Sequence, residues 1–386
     1  MIPQHAKGRP GPSRKTRCLP MNDGGLGGRR APPAFLAFCV LLLNSCTLPV
    51  LLRPLPPESA QDALIPPDLA FTMPGGVELP ARAWLPPTGA APRGVILALH
   101  GYTDSRDAWE LSAPAFAAAG YSLYAPDQRG FGATATRGLW PGTTRLVDDA
   151  ASLVAQLRAR YPAQRLIVMG ESMGGAVAAL LAARPETAAD ATVLLAPAVW
   201  GWDQLSPALS ATLRITVAMA PRWAPDPARA GGNILASDNI AALIRFGRDP
   251  LTIRAPTVSM TEGLVDLMTD AQAAMPRLHG LVLLAAGRRD QIVPPSATAA
   301  AWDKLSPGVR RAFYPHGYHL LLRDKDRALV LADILAWLRD PDAWLPSGAD
   351  AAAAAWRAAA PWDAGVDPAA PAAQWDGAWQ DPVWPY

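Results

Sequence analysis

Short, nearly continuous apolar runs, each bounded by glycine, proline or a charged residue, recur along the chain at 95–99, 121–125, 166–169, 192–195 and 281–286. Runs of this length without alternation predict strands buried on both faces, as in a parallel sheet. Between them lie segments with helical spacing. Leu146, Ala150, Leu153 and Leu157 mark one helix, 174–183 reads as a helix of small residues, and 328–338 as another. Residues 77–85 alternate and predict an antiparallel hairpin at a sheet edge. Strand and helix in turn predict an α/β architecture, a mostly parallel central sheet with helices on both faces.

The rhythm breaks at 201–275, which holds Trp202, Pro221, Trp223, Pro225, Pro227, Leu264 and Met268 in several short helical patterns. A stretch of this size between two sheet strands predicts a helical cap or lid; ordinary packing helices are the other reading. The core is then 71–200 with 276–340. Residues 341–386 change composition again, being rich in Ala, Pro and Asp and carrying six of the fourteen tryptophans. Such a tail reads either as a flexible extension or as a docking segment for an unidentified partner or a membrane interface.

At the other end, Arg29 and Arg30 precede a ten-residue apolar run, 34–43, followed by Asn44, Ser45 and Cys46. Basic flank, short apolar run and a small residue before a cut describe an export signal over 1–45, with Met21 as an alternative start. The whole chain has no run of about 18 apolar residues, so it offers no ordinary membrane span. Cys46 after Leu43-Asn44-Ser45 resembles a bacterial lipobox, and the resemblance implies acylation of Cys46, the Pro/Leu-rich stretch to residue 70 serving as a tether. A plain signal peptide or signal anchor with an incidental cysteine is the other reading. Thr47 after the cysteine, where no aspartate stands, implies the periplasmic face of the outer membrane under the same resemblance.

Removing 1–45, which holds seven Lys/Arg and one acidic residue, turns a formal charge of +2 into −4. That excludes a broad basic surface for nucleic acid. Of three cysteines only Cys46 remains, which excludes a disulfide framework, a four-cysteine zinc site and cysteine catalysis in the body.

The chemistry centres on Gly170-Glu171-Ser172-Met173-Gly174-Gly175. A bare G-x-S-x-G is weak, but here an apolar strand leads in and a small-residue helix leads out, the setting of a nucleophile elbow with Ser172 exposed above the sheet. Serine needs a base to take its proton. The histidines are His5, His100, His279, His316 and His319. His5 lies in the signal, and His279 precedes a strand, on the wrong side of the sheet. In elbow hydrolases the chain order is Ser, acid, His, which favours His319 over His316. Asp290, just past a strand end, is the expected orienting acid, with Asp303 in reserve. The backbone amides of Met173 and Tyr102 are the expected oxyanion donors, Tyr102 lying on the loop after strand 95–98. His100 is expected to support that loop.

Together His100-Gly101, Asp127-Gln128-Arg129-Gly130-Phe131-Gly132, the Ser172 elbow, 287–290 and Gly317-Tyr318-His319 resemble an α/β-hydrolase. Among those the chain is similar to the monoacylglycerol lipase/lysophospholipase group, which overlaps the serine-aminopeptidase-like hydrolases. The resemblance covers about 70–340. It departs at Glu171, where many members have His, and at Tyr102, where a smaller residue is common. It implies ester hydrolysis through an acyl-serine, a mobile apolar cap, no metal or other cofactor, and a monoacyl lipid or small hydrophobic ester as substrate. Two alternatives stand beside it. One is an aminopeptidase, which needs an acidic amine-binding group such as Glu262, Asp266 or Asp270. The other is a non-catalytic scaffold of the same fold.

Overall fold

A computed structural model describes residues 62–87, 91–225 and 234–358. The export signal, Cys46, the first part of the tether and the tail beyond 358 lie outside the described residues. Among the described residues eight strands form one sheet: β1 Leu69–Met73, β2 Val77–Trp84, β3 Gly94–Leu99, β4 Tyr121–Pro126, β5 Arg165–Glu171, β6 Ala191–Leu195, β7 Leu281–Gly287 and β8 Arg310–Tyr314. Their order is β1-β2-β4-β3-β5-β6-β7-β8. β1 and β2 form the expected antiparallel hairpin, β2 pairs antiparallel with β4, and every later pairing is parallel. The mostly parallel sheet expected from the apolar runs is therefore the one observed.

The helices, in chain order, are α1 Ala113–Ala118, α2 Thr143–Arg160, α3 Met173–Ala182, α4 Pro207–Met219, α5 Ile240–Arg248, α6 Val258–Ala274, α7 Pro295–Lys304, α8 Arg327–Arg339 and α9 Ala349–Ala358. Alternate residues of one strand feed two cores, because successive side chains leave opposite faces. Val95, Leu97 and Leu99 of β3 pack with Leu146, Ala150 and Leu153 of α2 and with Ala176 of α3. Ile96 and Ala98 pack with Phe116 of α1 and Ile334 and Trp337 of α8. Burial on both faces explains why β3 reads as an unbroken apolar run.

β8 has no counterpart among the sequence predictions. It opens with Arg310 and Arg311, charges that hide a strand until their partners are known. Arg310 pairs with Asp350 at 3.2 Å and donates to the carbonyls of Pro341 and Ala343, while Arg311 donates to those of Val309, Trp302 and Leu305. Residues 341–358 accordingly fold back on the body. Trp356 of α9 stacks on Phe313 of β8, centroids 4.4 Å apart, and meets Trp302 edge-on.

The insertion between β6 and β7 is of two kinds. α6 is core. It packs on α3, and Gly263 lies so close to Trp140 that a Cβ there would come within 2.2 Å of the indole nitrogen. α4 has no buried residue and α5 only Ala242. Among the described residues no helix is long and apolar enough to cross a membrane.

Candidate active site

Ser172 sits between the end of β5 and the start of α3 with φ 53° and ψ −115°. A non-glycine residue held there costs about 1–3 kcal/mol unless its surroundings fix it. They do. Its N–H donates to Leu195 O at 2.9 Å, and its carbonyl accepts from Ala176 and Ala198 at 3.0 and 2.9 Å. The flanking glycines are steric requirements. A Cβ on Gly170 would stand 2.1 Å from Gly174 O, and one on Gly174 2.1 Å from Leu99 O. Only two bare backbones allow strand, turn and helix to meet this closely. Met173 N–H belongs to the first turn of α3, where amides have no partner within the helix.

The loop after β3 lies against the serine: a Cβ on Gly101 would be 3.5 Å from Ser172 Cβ. His100 holds this loop. Gln128 N–H donates to His100 Nε2 at 3.0 Å, so Nδ1 carries the proton and donates to Gly101 O at 2.8 Å. Burial pushes the His100 pKa down, in keeping with a neutral ring used on both sides. The Tyr102 ring meets Phe131 edge-on, and its hydroxyl lies 3.4 Å from Thr261 Oγ1 of α6. Burial pushes that hydroxyl's pKa up to about 12.

Phe131 explains the Asp127–Gly132 motif. It also contacts His100 and Trp140 edge-on. The loop that carries it is tied by the Asp127 carboxylate, which accepts from Arg106 N at 2.7 Å, Arg106 Nη1 at 2.5 Å and Ala133 N at 2.8 Å. The motif is scaffolding beneath the site.

Asp290 follows β7. Its Oδ1 accepts from Ile292 and Val293 N–H at 2.8 and 2.9 Å, and its Oδ2 lies 2.8 Å from His319 Nδ1. That contact puts the proton on Nδ1 and leaves Nε2 as the acceptor, the tautomer a general base needs. The two loops meet because Gly287 is bare: a Cβ there would be 2.3 Å from Gly317 O. Burial alone would lower the His319 pKa. The charge and hydrogen bond of Asp290, helped by Glu171 and Asp324, outweigh it and raise the value.

The remaining candidates lie elsewhere. His316 and His279 are exposed, and His279 N–H is bonded to Ala182 O at the far end of α3 from the elbow. Asp303 pairs with Arg357 at 2.5 Å. Asp266 accepts from the Trp202 indole at 2.7 Å on the exposed side of α6, and Asp270 is exposed there too. Glu262 is half-buried on the same helix. Among the described residues no group of three or more His, Cys, Asp or Glu is placed to hold a metal ion.

One feature had no sequence signal except the unusual Glu171. The guanidinium of Arg323, four residues after His319, is buried. Its Nη2 pairs with Asp104 Oδ2 and, at 3.3 Å, with Glu171 Oε2. Burial pushes the Glu171 pKa up to about 7 despite the pull of Arg323.

Residues 90–326 match the family described as serine aminopeptidase, S33. The chain is similar to a monoacylglycerol lipase of Mycolicibacterium smegmatis, 29% identical over 70% of this chain and 95% of that one. It is also similar to a monoglyceride lipase of Mus musculus, 24% identical over 68% and 87%. Among solved structures it shares its fold with a monoacylglycerol lipase of Paleococcus ferrophilus, with TM-score 0.57 and 21% identity over 68% of this chain and 98% of that one. A soluble variant of the Saccharomyces cerevisiae monoglyceride lipase gives TM-score 0.60 and 17% identity over 73% and 97%.

Proposed function

Because the chain belongs to the serine aminopeptidase, S33, family and is similar to a monoacylglycerol lipase and a monoglyceride lipase, we propose that it is a serine hydrolase of carboxylic esters. Its substrates are monoacylglycerol or lysophospholipid-type lipids. The observation that carries the reading is the strained Ser172 elbow at the same sheet edge as the buried Asp290–His319 pair.

Ser172 Oγ attacks the ester carbonyl carbon as His319 Nε2 takes its proton. The N–H groups of Tyr102 and Met173 hold the oxyanion. The C–O bond to the alcohol breaks, and the alcohol leaves with the proton from His319. Water, deprotonated by His319, then attacks the acyl-serine; the C–Oγ bond breaks, His319 returns the proton to Ser172 Oγ, and the acid is released. Asp290 holds the ring in register and stabilises the imidazolium. Leu209, Ile215 and Met219, exposed on α4 of the insertion, are apolar surface that suits a lipid substrate.

The test is turnover of an ester series from acetyl to palmitoyl, including a monoacylglycerol, with Ser172→Ala as blank. Loss of the nucleophile is expected to cost at least about 10³-fold. A Ser172-dependent rate that rises with chain length supports the lipase reading. Cleavage of aminoacyl anilides without any ester turnover overturns it in favour of a peptidase.

The proposal extends to location: export, acylation at Cys46 and retention at the periplasmic face of the outer membrane would keep the enzyme beside its lipids. Cys46→Ser should move the protein from the membrane to the soluble fraction, and a variant that stays with membranes overturns the anchor.

A further inference from the structure

The Arg323 side chain is buried, and burying such a charge is costly unless carboxylates meet it. Two do, and a single nitrogen, Nη2, serves both. Those carboxylates come from two different parts of the site. Asp104 stands two residues after Tyr102 on the loop whose amide faces the oxyanion. Glu171 is the last residue of β5, directly before Ser172.

Arg323 itself belongs to the histidine loop through a short hydrogen-bonded turn. Its N–H and that of Asp324 both donate to Leu320 O, at 2.8 and 3.0 Å. The Asp324 carboxylate in turn accepts from Tyr318 N–H at 2.8 Å. His319 lies inside that turn, so a displacement of Arg323 is passed to the imidazole. The insertion also grips the turn. Asn239 donates to Arg323 O at 2.9 Å, Leu320 N–H donates to Ala236 O at 2.9 Å, and the guanidinium carbon stands 5.7 Å from the Phe246 ring centroid.

A buried ion cluster is a poor way to gain stability, since apolar side chains of the same volume do as well or better. It is a good way to fix relative position, because one nitrogen must satisfy two oxygens at once.

We propose that Arg323 is a positioning residue for the hydrolysis. Its guanidinium pins the oxyanion loop through Asp104 and the nucleophile elbow through Glu171 to the turn that carries His319. The proposal rests on the ester-hydrolase reading for its reaction and on these contacts for its geometry. It acts on the chemical step, because the two carboxylates it holds belong to the loop of Tyr102 and to the residue directly before Ser172. Misplacing reacting groups by about 1 Å costs up to about 10²-fold in rate.

The experiment compares Arg323→Met and Arg323→Lys with the wild-type protein. Three quantities are read well below each variant's Tm: kcat and KM on an ester, and the rate at which a fluorophosphonate labels Ser172. The label needs nucleophile, base and oxyanion donors in register but no knowledge of the natural substrate. Arg323→Met should lower kcat and the labelling rate together, by about 10- to 100-fold, with KM within about twofold. Arg323→Lys should recover most of both, since one ammonium can meet both carboxylates where one guanidinium nitrogen did. A Met variant that is folded, less heat-stable and equally fast on both readouts reduces Arg323 to a structural group and overturns the proposal. So does a Lys variant as slow as Met. Should the Met variant fail to fold, Asp104→Ala decides: the proposal requires the same fall in kcat and labelling at constant KM, and normal rates overturn it. If wild-type Ser172 labels but turns over no ester, the functional reading fails while the labelling rates still judge the clamp.

Discussion

Asp290 and Glu171 are both buried carboxylates, one bonded to the candidate base and the other adjacent to the candidate nucleophile, yet they are held in opposite ways. Asp290 accepts two backbone N–H bonds on Oδ1 and the imidazole on Oδ2. Glu171 has a share of one arginine nitrogen, and its pKa is pushed up to about 7. A carboxylate solvated by its own loop can stay charged while buried and lend that charge to a neighbour. One that leans on a distant guanidinium can add position but pays a larger desolvation penalty. The first arrangement suits an acid that must stabilise an imidazolium in every cycle. The second suits a group whose work is finished once the loops are in place.

The sharpest break of this comparison is Asp290→Asn. The amide removes the charge and presents an N–H to His319 Nδ1, favouring the tautomer with its proton on Nε2, where the base must accept. The rate should fall by about 10³- to 10⁴-fold. The acid limb of the kcat/KM profile should move as well. Asp290 is what overcomes burial and holds the His319 pKa above its ordinary 6.5, so the limb lies above that value in the wild-type protein and moves to lower pH in the variant. A limb that stays in place would mean that the charge of Asp290 is not what sets the basicity of His319.

The two carboxylates also differ in how far sequence alone reveals them. Asp290 sits 29 residues before His319, at a strand end, in the order expected of elbow hydrolases. Ser172 is legible because its requirements are local: an apolar strand, two glycines that pack backbone on backbone, and a helix of small residues. The Arg323 cluster joins residues 219 and 152 positions apart, and nothing in the 320–324 stretch distinguishes a buried arginine from an exposed one. β8 is hidden for a related reason: Arg310 finds Asp350 forty positions later, and Arg311 is met by carbonyls of the segment before it. Trp356 shows the limit of composition. It lies in a stretch whose composition reads either as a flexible extension or as a docking segment, and it is placed by stacking on a strand that the apolar pattern does not mark.

A smaller effect sharpens the other side of the comparison. Glu171→Gln keeps an oxygen for Arg323, and Asp104 still holds the guanidinium, so kcat should stay within about threefold of wild type. Its effect belongs to stability against pH. Folding raises the Glu171 pKa from an ordinary 4.5 to about 7, so between those values the folded chain binds more protons than the unfolded one. Stability therefore falls as pH rises through that window and levels off above it. Asp324, pushed up to about 6 by burial, contributes with the same sign and persists in the variant; His319 does too, but it loses the help of Glu171 there, so its smaller share adds to the rise. Tm of Glu171→Gln minus Tm of wild type should accordingly increase from pH 5 to pH 7 and then stay constant. If the difference is flat, Arg323 compensates the buried carboxylate in full, and the contrast with Asp290 lies in geometry alone.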